Sequence, residues 1–245
     1  MIRFAKISDI VPKIKSTWHD CIYVTIDIDW ANDEVINDTI DILEKFDIAA
    51  TWFITHQTPV LNRLRRNSNF ELGIHPNFNF LLDGDFRNGN SIRSIIEGLL
   101  EIVPEAKSLR SHSLVTSTKL LQIMPEYGLT HESNLYINRD SVSNIEPFCI
   151  WNSVVRVPHS FEDDLFLLMQ NSLSCSFNTY IKNYIHSSSS IRILDFHPIH
   201  IFLNTESIDR YECTRNIHNS PKELINNRYV GEGIRTAFET LLGLH

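Results

Sequence analysis

The hydrophobic pattern of this chain switches repeatedly between the period of a strand and the period of a helix. Residues 22–28 form an apolar run typical of a buried strand, and residues 33–46 follow with helical spacing and an acidic first turn. Residues 51–54 and 70–74 are short runs of the same strand type. Such alternation predicts an α/β architecture, in which helices connect parallel strands.

The same two periods continue through the remaining sequence. We expect later strands to end at Leu109 and to span residues 129–132, 147–150, 154–157 and 191–196. We expect helices over residues 59–66, 116–125, 162–170 and 233–242, and one that is capped by Ser91 and runs to Ile102. Polar stretches predict loops over residues 77–90 and 171–190. No linker or repeat separates these elements, so residues 1–245 are predicted to form a single domain built as a barrel of parallel strands.

Composition narrows the function classes. The net charge of −8 disfavours a nucleic-acid backbone as the main partner. No apolar run reaches the roughly eighteen residues of a membrane span, and the first twenty residues lack the apolar core of a secretory signal. Cys21, Cys149, Cys175 and Cys213 form no CxxC motif and are predicted to be reduced, packed thiols. These features predict a cytoplasmic protein without a membrane span.

Polar side chains stand where several of the apolar runs end. Asp27 and Asp29 close the first strong strand, and strand alternation would point both carboxylates to the same side. His75 follows another strand, Arg110 and His112 follow a third, and His197 follows the last. In barrels of parallel strands the reactive groups lie at the carboxyl ends of the strands, so we expect these side chains to meet there.

Carboxylates and imidazoles at one rim are typical of a metal-dependent hydrolase. A catalytic divalent metal commonly takes three protein ligands and leaves a position open for water and substrate. Asp29 and His75 supply two ligands, and Asp27 is the natural base to complete the activation of a water.

The order and spacing of these motifs, from Asp27 to His200, resemble those of the NodB-type polysaccharide deacetylases, carbohydrate esterase family four, as a divergent branch. The resemblance implies a distorted (β/α) barrel with about seven parallel strands, fewer than the eight of the standard barrel. It also implies a divalent metal, with zinc as the expected ion, and the hydrolysis of N-acetyl or O-acetyl groups on sugars.

The resemblance assigns roles to the first motifs. Thr25-Ile26-Asp27-Ile28-Asp29 is similar to the Thr-Phe-Asp-Asp motif with one residue inserted, which makes Asp27 the base and Asp29 a ligand. His75 resembles the first metal-binding histidine, but Asn79 stands where the second is expected. An amide oxygen is a weaker ligand than imidazole. Asn79 is nevertheless our first candidate for the third ligand, with His112 and His200 as alternatives and a degenerate site as a further one.

The later motifs supply the remaining roles. Arg110 resembles the arginine that holds the base aspartate, a task that suits two parallel hydrogen bonds from a guanidinium, and His112 replaces the usual proline. Leu194-Asp195-Phe196-His197 is similar to the last motif, which makes His197 the general acid. Possible carboxylate partners of His197 are Asp195, Asp140, Asp163 and Asp164.

These roles predict an enzyme that removes an acyl group from an N- or O-acetylated sugar. The absence of a leader favours a soluble or lipid-linked precursor of a surface polysaccharide, such as a sugar nucleotide, as the carbohydrate substrate. Trp30, Trp151, His112 and His200 are the candidate substrate-binding residues. Two alternatives stay open, an amidohydrolase acting on a small non-sugar C–N bond and a non-catalytic sugar-binding relative.

Overall fold

The computed structural model describes residues 3–138, 142, 144–169, 177–186 and 190–243. Their strands belong to one sheet, and the four longest follow the buried apolar runs of the sequence. The strands are β1 (Arg3–Phe4), β2 (Cys21–Asp27), β3 (Ala50–Ile54), β4 (Phe70–Ile74), β5 (Ser108–Leu109), β6 (His131–Glu132), β7 (Phe148–Cys149), β8 (Val155–Arg156), β9 (Phe161–Glu162) and β10 (Arg192–Phe196).

The sheet is curled and mostly parallel. Its strand order is β7-β8-β6-β5-β4-β3-β2-β10-β9, with β1 paired to β2. Among the described residues only the β7–β8 pair is antiparallel. An isolated parallel bridge between Tyr136 and His159 connects the chain after β6 with the chain before β9. The predicted α/β fold, a distorted barrel of parallel strands, is confirmed.

Helices follow most strands, as right-handed crossover connections require. One begins at the predicted cap, where Ser91 accepts a hydrogen bond from the backbone of Ser94, and another is capped by Asn32, which accepts one from the backbone of Glu34. The helices are α1 (Asp33–Lys45), α2 (Leu61–Arg66), α3 (Asn79–Leu82), α4 (Ile92–Ile102), α5 (Thr118–Ile123), α6 (Asp163–Met169), α7 (Phe177–His186), α8 (Pro198–Leu203), α9 (Ile208–Thr214), α10 (Pro221–Leu224) and α11 (Ile234–Leu242).

The two faces of β2 bury different kinds of side chain. Val24 and Ile26 belong to the main hydrophobic core, which includes Ile36 and Ile40 of α1. On the other face, Tyr23 packs in a second apolar cluster at the amino-terminal half of the strand. The next residues on that face, Thr25 and Asp27, are buried and polar. The inner face of the sheet is therefore apolar at one end and polar at its carboxyl end.

Several expectations about the connections need correction. Part of the predicted loop over residues 171–190 is helix α7, whose apolar residues pack in the core, while residues 171–176 and 187–189 lie outside the described part. The predicted loop over residues 77–90 contains the single turn α3. Helices α8 to α10 were not predicted.

The cysteines differ in exposure. Cys21 is buried, as expected, but Cys149 and Cys213 are exposed free thiols, so the prediction that they are packed is wrong. Cys175 lies outside the described residues. In the described part of the chain, no helix is both long enough and apolar enough to cross a bilayer.

Candidate active site

The polar end of the sheet gathers side chains from five strands. Asp27 ends β2, His75 follows β4, Arg110 follows β5, Asp163 follows β9, and His197 follows β10. These strands are neighbours or lie across the curl of the sheet from one another, and their carboxyl ends share one rim. The structure therefore brings these residues, which are remote in sequence, into one place.

Arg110 lies at the centre of a buried polar cluster. Its side chain is fully buried, and Nη1 donates to Asp27 Oδ1 at 3.1 Å, to Thr25 Oγ1 at 2.8 Å and to Asp195 Oδ1. Nη2 donates to Ser133 Oγ at 3.1 Å. The expected two parallel hydrogen bonds to one carboxylate are not formed, because a single guanidinium nitrogen is shared by both aspartates. Burial raises the pKa of Asp195 well above its usual value, although the Arg110 charge opposes this shift.

The second acid of the motif is placed by an unusual turn. β2 ends at Asp27, so strand alternation does not orient Asp29. Instead Asp29 and Trp30 adopt left-handed backbone conformations, with φ of 36° and 55°. Aspartate tolerates this region better than tryptophan does, and such strain often marks functional positions. The turn directs Asp29 toward the histidines of the neighbouring strands.

Two histidine rings converge on Asp29. His75 Nε2 and His112 Nδ1 each lie 3.2 Å from Asp29 Oδ1. Asp29, His75 and His112 each offer one ligand atom, and these atoms lie within 4.8 Å of one another. His75 also places Nδ1 3.4 Å from Asp27 Oδ2. A carboxylate and two imidazoles of this kind match the three-residue ligand sets of catalytic divalent metals.

The hydrogen bonding of this group supports the fit of a metal. Within the described part of the chain, neither ring nitrogen of the buried His75 has a hydrogen-bond partner, and neither does the buried Asp29 Oδ1. The His75 nitrogens lie near carboxylate oxygens of Asp27 and Asp29 but do not form hydrogen bonds with them. Buried polar groups normally have a hydrogen-bond partner. Burial opposes the charged form of Asp29, but the adjacent His112 and His75 rings hold the pKa of its carboxyl well below the usual value. These residues fit a divalent cation.

The other two candidates for the third ligand have hydrogen-bond partners of their own. Asn79 donates its side-chain Nδ2 to Ser113 Oγ at 3.1 Å. His200 is buried in α8, with Nδ1 3.2 Å from Thr205 Oγ1, and its ring contacts His197 and Tyr211. Of the two histidines considered as alternatives, His112 and not His200 forms a group with Asp29 and His75.

His197 has a buried carboxylate partner. Asp163, the first residue of α6, accepts from the His197 backbone N–H at 2.8 Å, and its Oδ1 lies 2.6 Å from His197 Nδ1. Burial alone would lower the pKa of His197, but Asp163 raises it well above the usual value, while burial raises the pKa of Asp163 to about 6. His197 Nε2 points back to Asp29 Oδ2 at 3.6 Å. Asp163 is thus the partner among the four alternatives; Asp195 binds Arg110, and Asp140 lies outside the described residues.

Two adjacent cavities lie at this rim. The inner chamber, of about 90 Å³, is lined by Asp27, His75 and Asp195 among others, and the outer cleft has about 620 Å³. Asp29, His112, Asp164 and His197 line both. The cleft is within the size range of sites for small ligands.

The cleft has aromatic walls. Trp30 is 43% exposed and packs edge-on against the His112 ring, and Tyr211 of α9, whose ring contacts His200 and His218, also lines the cleft. Trp151 is exposed in a turn after β7 and is not among the residues that line the cleft. Tyr211 and His218 were missed from sequence because helices α8 to α10 were not predicted.

Residues 24–215 match the family of WbmS-like polysaccharide deacetylases. The chain belongs to this family. WbmS of Bordetella bronchiseptica, whose crystal structure is that of a candidate polysaccharide deacetylase involved in O-antigen biosynthesis, is 42% identical to this member. The match covers 98% of this chain and 97% of that one, with a TM-score of 0.90.

Other solved structures are less similar to this WbmS-like chain. A candidate polysaccharide deacetylase from Mycobacterium smegmatis is 16% identical, covers 72% of this chain and 77% of its own, and has a TM-score of 0.49. A family-four carbohydrate esterase pseudoenzyme from Bacillus anthracis is 14% identical, with a TM-score of 0.41 and coverage of 82% and 60%. Comparison with curated proteins gave no match.

Proposed function

We propose that this chain is a metal-dependent hydrolase that removes an acetyl group, or another small acyl group, from an N- or O-acetylated sugar. One observation carries the proposal: the buried His75 makes no hydrogen bond with the described residues through either nitrogen, yet lies against both Asp27 and Asp29. A buried imidazole with two unsatisfied nitrogens is costly unless a ligand completes its environment.

Asp29, His75 and His112 would hold the metal, and zinc suits this set of two imidazoles and one carboxylate. When bound, such an ion polarises an acyl carbonyl and lowers the pKa of a water molecule. His112 thereby takes the ligand role for which Asn79 was the first candidate from sequence.

Asp27 serves as the general base in this proposal. Its Oδ1 accepts a hydrogen bond from Arg110, which fixes the carboxylate, and its Oδ2 is left facing His75 and the inner chamber. A base in this position can take the proton of a water that attacks the acyl carbon. Arg110 therefore acts on the reaction through the orientation of Asp27.

His197 serves as the general acid. Asp163 holds its Nδ1, so Nε2 faces the boundary of the two cavities. The raised pKa of His197 keeps a proton available at neutral pH for the departing sugar amine or hydroxyl. The sugar itself would occupy the outer cleft, with Trp30 and His200 as contacts; Trp151 stays a prediction.

The substrate class follows from the family and the relative. WbmS is involved in O-antigen biosynthesis, and we assign this chain a sugar of the same kind, as part of a surface polysaccharide or of its sugar-nucleotide or lipid-linked precursor.

The Asp27→Asn variant tests the proposal. Wild-type protein loaded with zinc should release acetate from at least one member of a panel of N- and O-acetylated sugars. Asp27→Asn should lower kcat by about 10³-fold, within the range of lost general-base catalysis, while the metal content is retained. Unchanged turnover in this variant, or no acetate from any sugar with wild type, would reject the assignment.

A further inference from the structure

Glu162 is a buried carboxylate in the inner chamber that has no role in the mechanism above. It ends β9, and its register partner on β10 is Asp195, so both side chains face the same side of the sheet. The Glu162 side chain is 9% exposed and lines the chamber together with Asp27, Asp29 and His197. A carboxylate in such a place is costly to bury unless it is paired or hydrogen-bonded.

His159 holds one of the two oxygens of Glu162. His159 Nε2 lies 2.5 Å from Glu162 Oε1, and the His159 side chain is fully buried. Burial, and next the charge of Arg110, lower the pKa of His159 well below its usual value, and burial raises the pKa of Glu162. A neutral ring that donates from Nε2 carries no hydrogen on Nδ1, and Nδ1 indeed lacks a partner in the described part of the chain.

The other oxygen remains available to the chamber. Glu162 Oε2 has no hydrogen bond to the described residues. It is also not among their fully buried side-chain atoms that lack a partner. The side chain is thus anchored at one oxygen and free to accept a hydrogen bond at the other. Asp27 has the same arrangement, with Arg110 on Oδ1 and Oδ2 facing the chamber.

We propose that Glu162 Oε2 accepts a hydrogen bond from the attacking water, whose second hydrogen is accepted by Asp27. A water that donates both hydrogens to fixed acceptors has its lone pair oriented, and this orientation is a main source of rate. The proton still passes to Asp27, and Glu162 gains none. His159 is a positioning residue that acts through Glu162. This inference rests on the proposed function.

The Glu162→Gln variant provides the test. The amide keeps its carbonyl oxygen on His159 and turns an N–H donor toward the water, so the acceptor is lost without a change of shape. We expect kcat to fall about 100-fold with the KM within about twofold, at unchanged metal content and unfolding midpoint. The substrate is whichever acetylated sugar wild type hydrolyses fastest among N-acetylglucosamine, N-acetylgalactosamine, their disaccharides and their uridine-diphosphate forms.

Two further variants separate this role from a structural one. Glu71→Gln alters a partly buried carboxylate at the other end of the same sheet and should leave kcat unchanged. His159→Phe should lower kcat less than Glu162→Gln does, and the double variant should be no slower than Glu162→Gln, because residues that act as a unit are not additive.

Other results would overturn the inference. Wild-type kcat in Glu162→Gln, or a loss of kcat that appears only together with lost metal or lost stability, would reject the contact with the water. If wild type and Glu71→Gln release no acetate from any sugar on the panel, the proposed function fails and this inference falls with it.

Discussion

Strand β4 has a polar side chain at or next to each end, and the two side chains differ in their hydrogen-bond partners. Near its start, Glu71 accepts from the Ser8 backbone at 3.0 Å, from Thr51 Oγ1 at 3.1 Å and from Ser108 Oγ at 2.7 Å. Just after its end, His75 lacks hydrogen-bond partners among the described residues on both nitrogens. A polar group with all its partners stabilises the fold, whereas a buried group without them indicates a place for a ligand.

A similar contrast separates a buried arginine from an exposed one. Arg110 is fully buried between Asp27 and Asp195, while Arg63 pairs with Asp41 and Glu44 on the surface. We therefore expect the buried arginine to matter both for the fold and for the orientation of Asp27, and the surface arginine for neither.

Arg110→Met should destabilise the protein by about 3–5 kcal/mol, because two buried carboxylates lose their shared cation. Chemical denaturation measures the free energy of unfolding. Arg63→Met is the matched control and should cost at most about 1 kcal/mol, as is usual for exposed pairs. Equal losses in the two variants would show that the buried cluster is no more important than the surface one.

His75→Ala should weaken zinc binding by more than about 100-fold, because an inner ligand matters at least as much as the residues that support it. Competition with a chromophoric chelator measures this affinity. The variant should keep its fold, since the imidazole has no hydrogen bond to lose among the described residues. Wild-type affinity in His75→Ala would remove His75 from the ligand set.

Glu71→Gln should show the opposite profile. We expect a loss of about 1–2 kcal/mol in the free energy of unfolding, because the amide satisfies three donors less well than the carboxylate does. Zinc affinity and kcat should be unchanged. A loss of zinc binding without a loss of stability would contradict the division between the two ends of β4.

Asn79→Ala should have the smallest effect, less than about twofold on zinc affinity, because its amide is engaged with Ser113. His112→Ala should weaken binding by at least about tenfold, since this ring lies against Asp29. Isothermal titration with zinc would compare the two variants. The reverse order would restore Asn79 as the third ligand.

The sequence predicted the elements that have a strong period and could not resolve those that depend on tertiary packing. Strands β2, β3, β4 and β10 and helices α1 and α4 lie within one or two residues of expectation. The serines and asparagines around helix α7 predict a loop, yet the apolar face of this helix packs into the core. Tertiary burial outweighed composition there.

The candidate site shows the same division. The position of each motif at a strand end placed Asp27, His75, Arg110 and His197 at one rim, because parallel strands put their carboxyl ends together. Sequence could not choose among Asn79, His112 and His200, since that choice depends on loop paths after β4 and β5. Glu162 carried no signal, because its strand has only two residues.

We infer that Asp29, His75 and His112 bind one divalent ion beside Asp27. Crystals of the zinc-loaded protein, measured on both sides of the zinc absorption edge, test it directly. We expect one strong anomalous peak within bonding distance of these three side chains. A peak held by other residues, or no peak at this rim in protein that is saturated with zinc, would contradict the account.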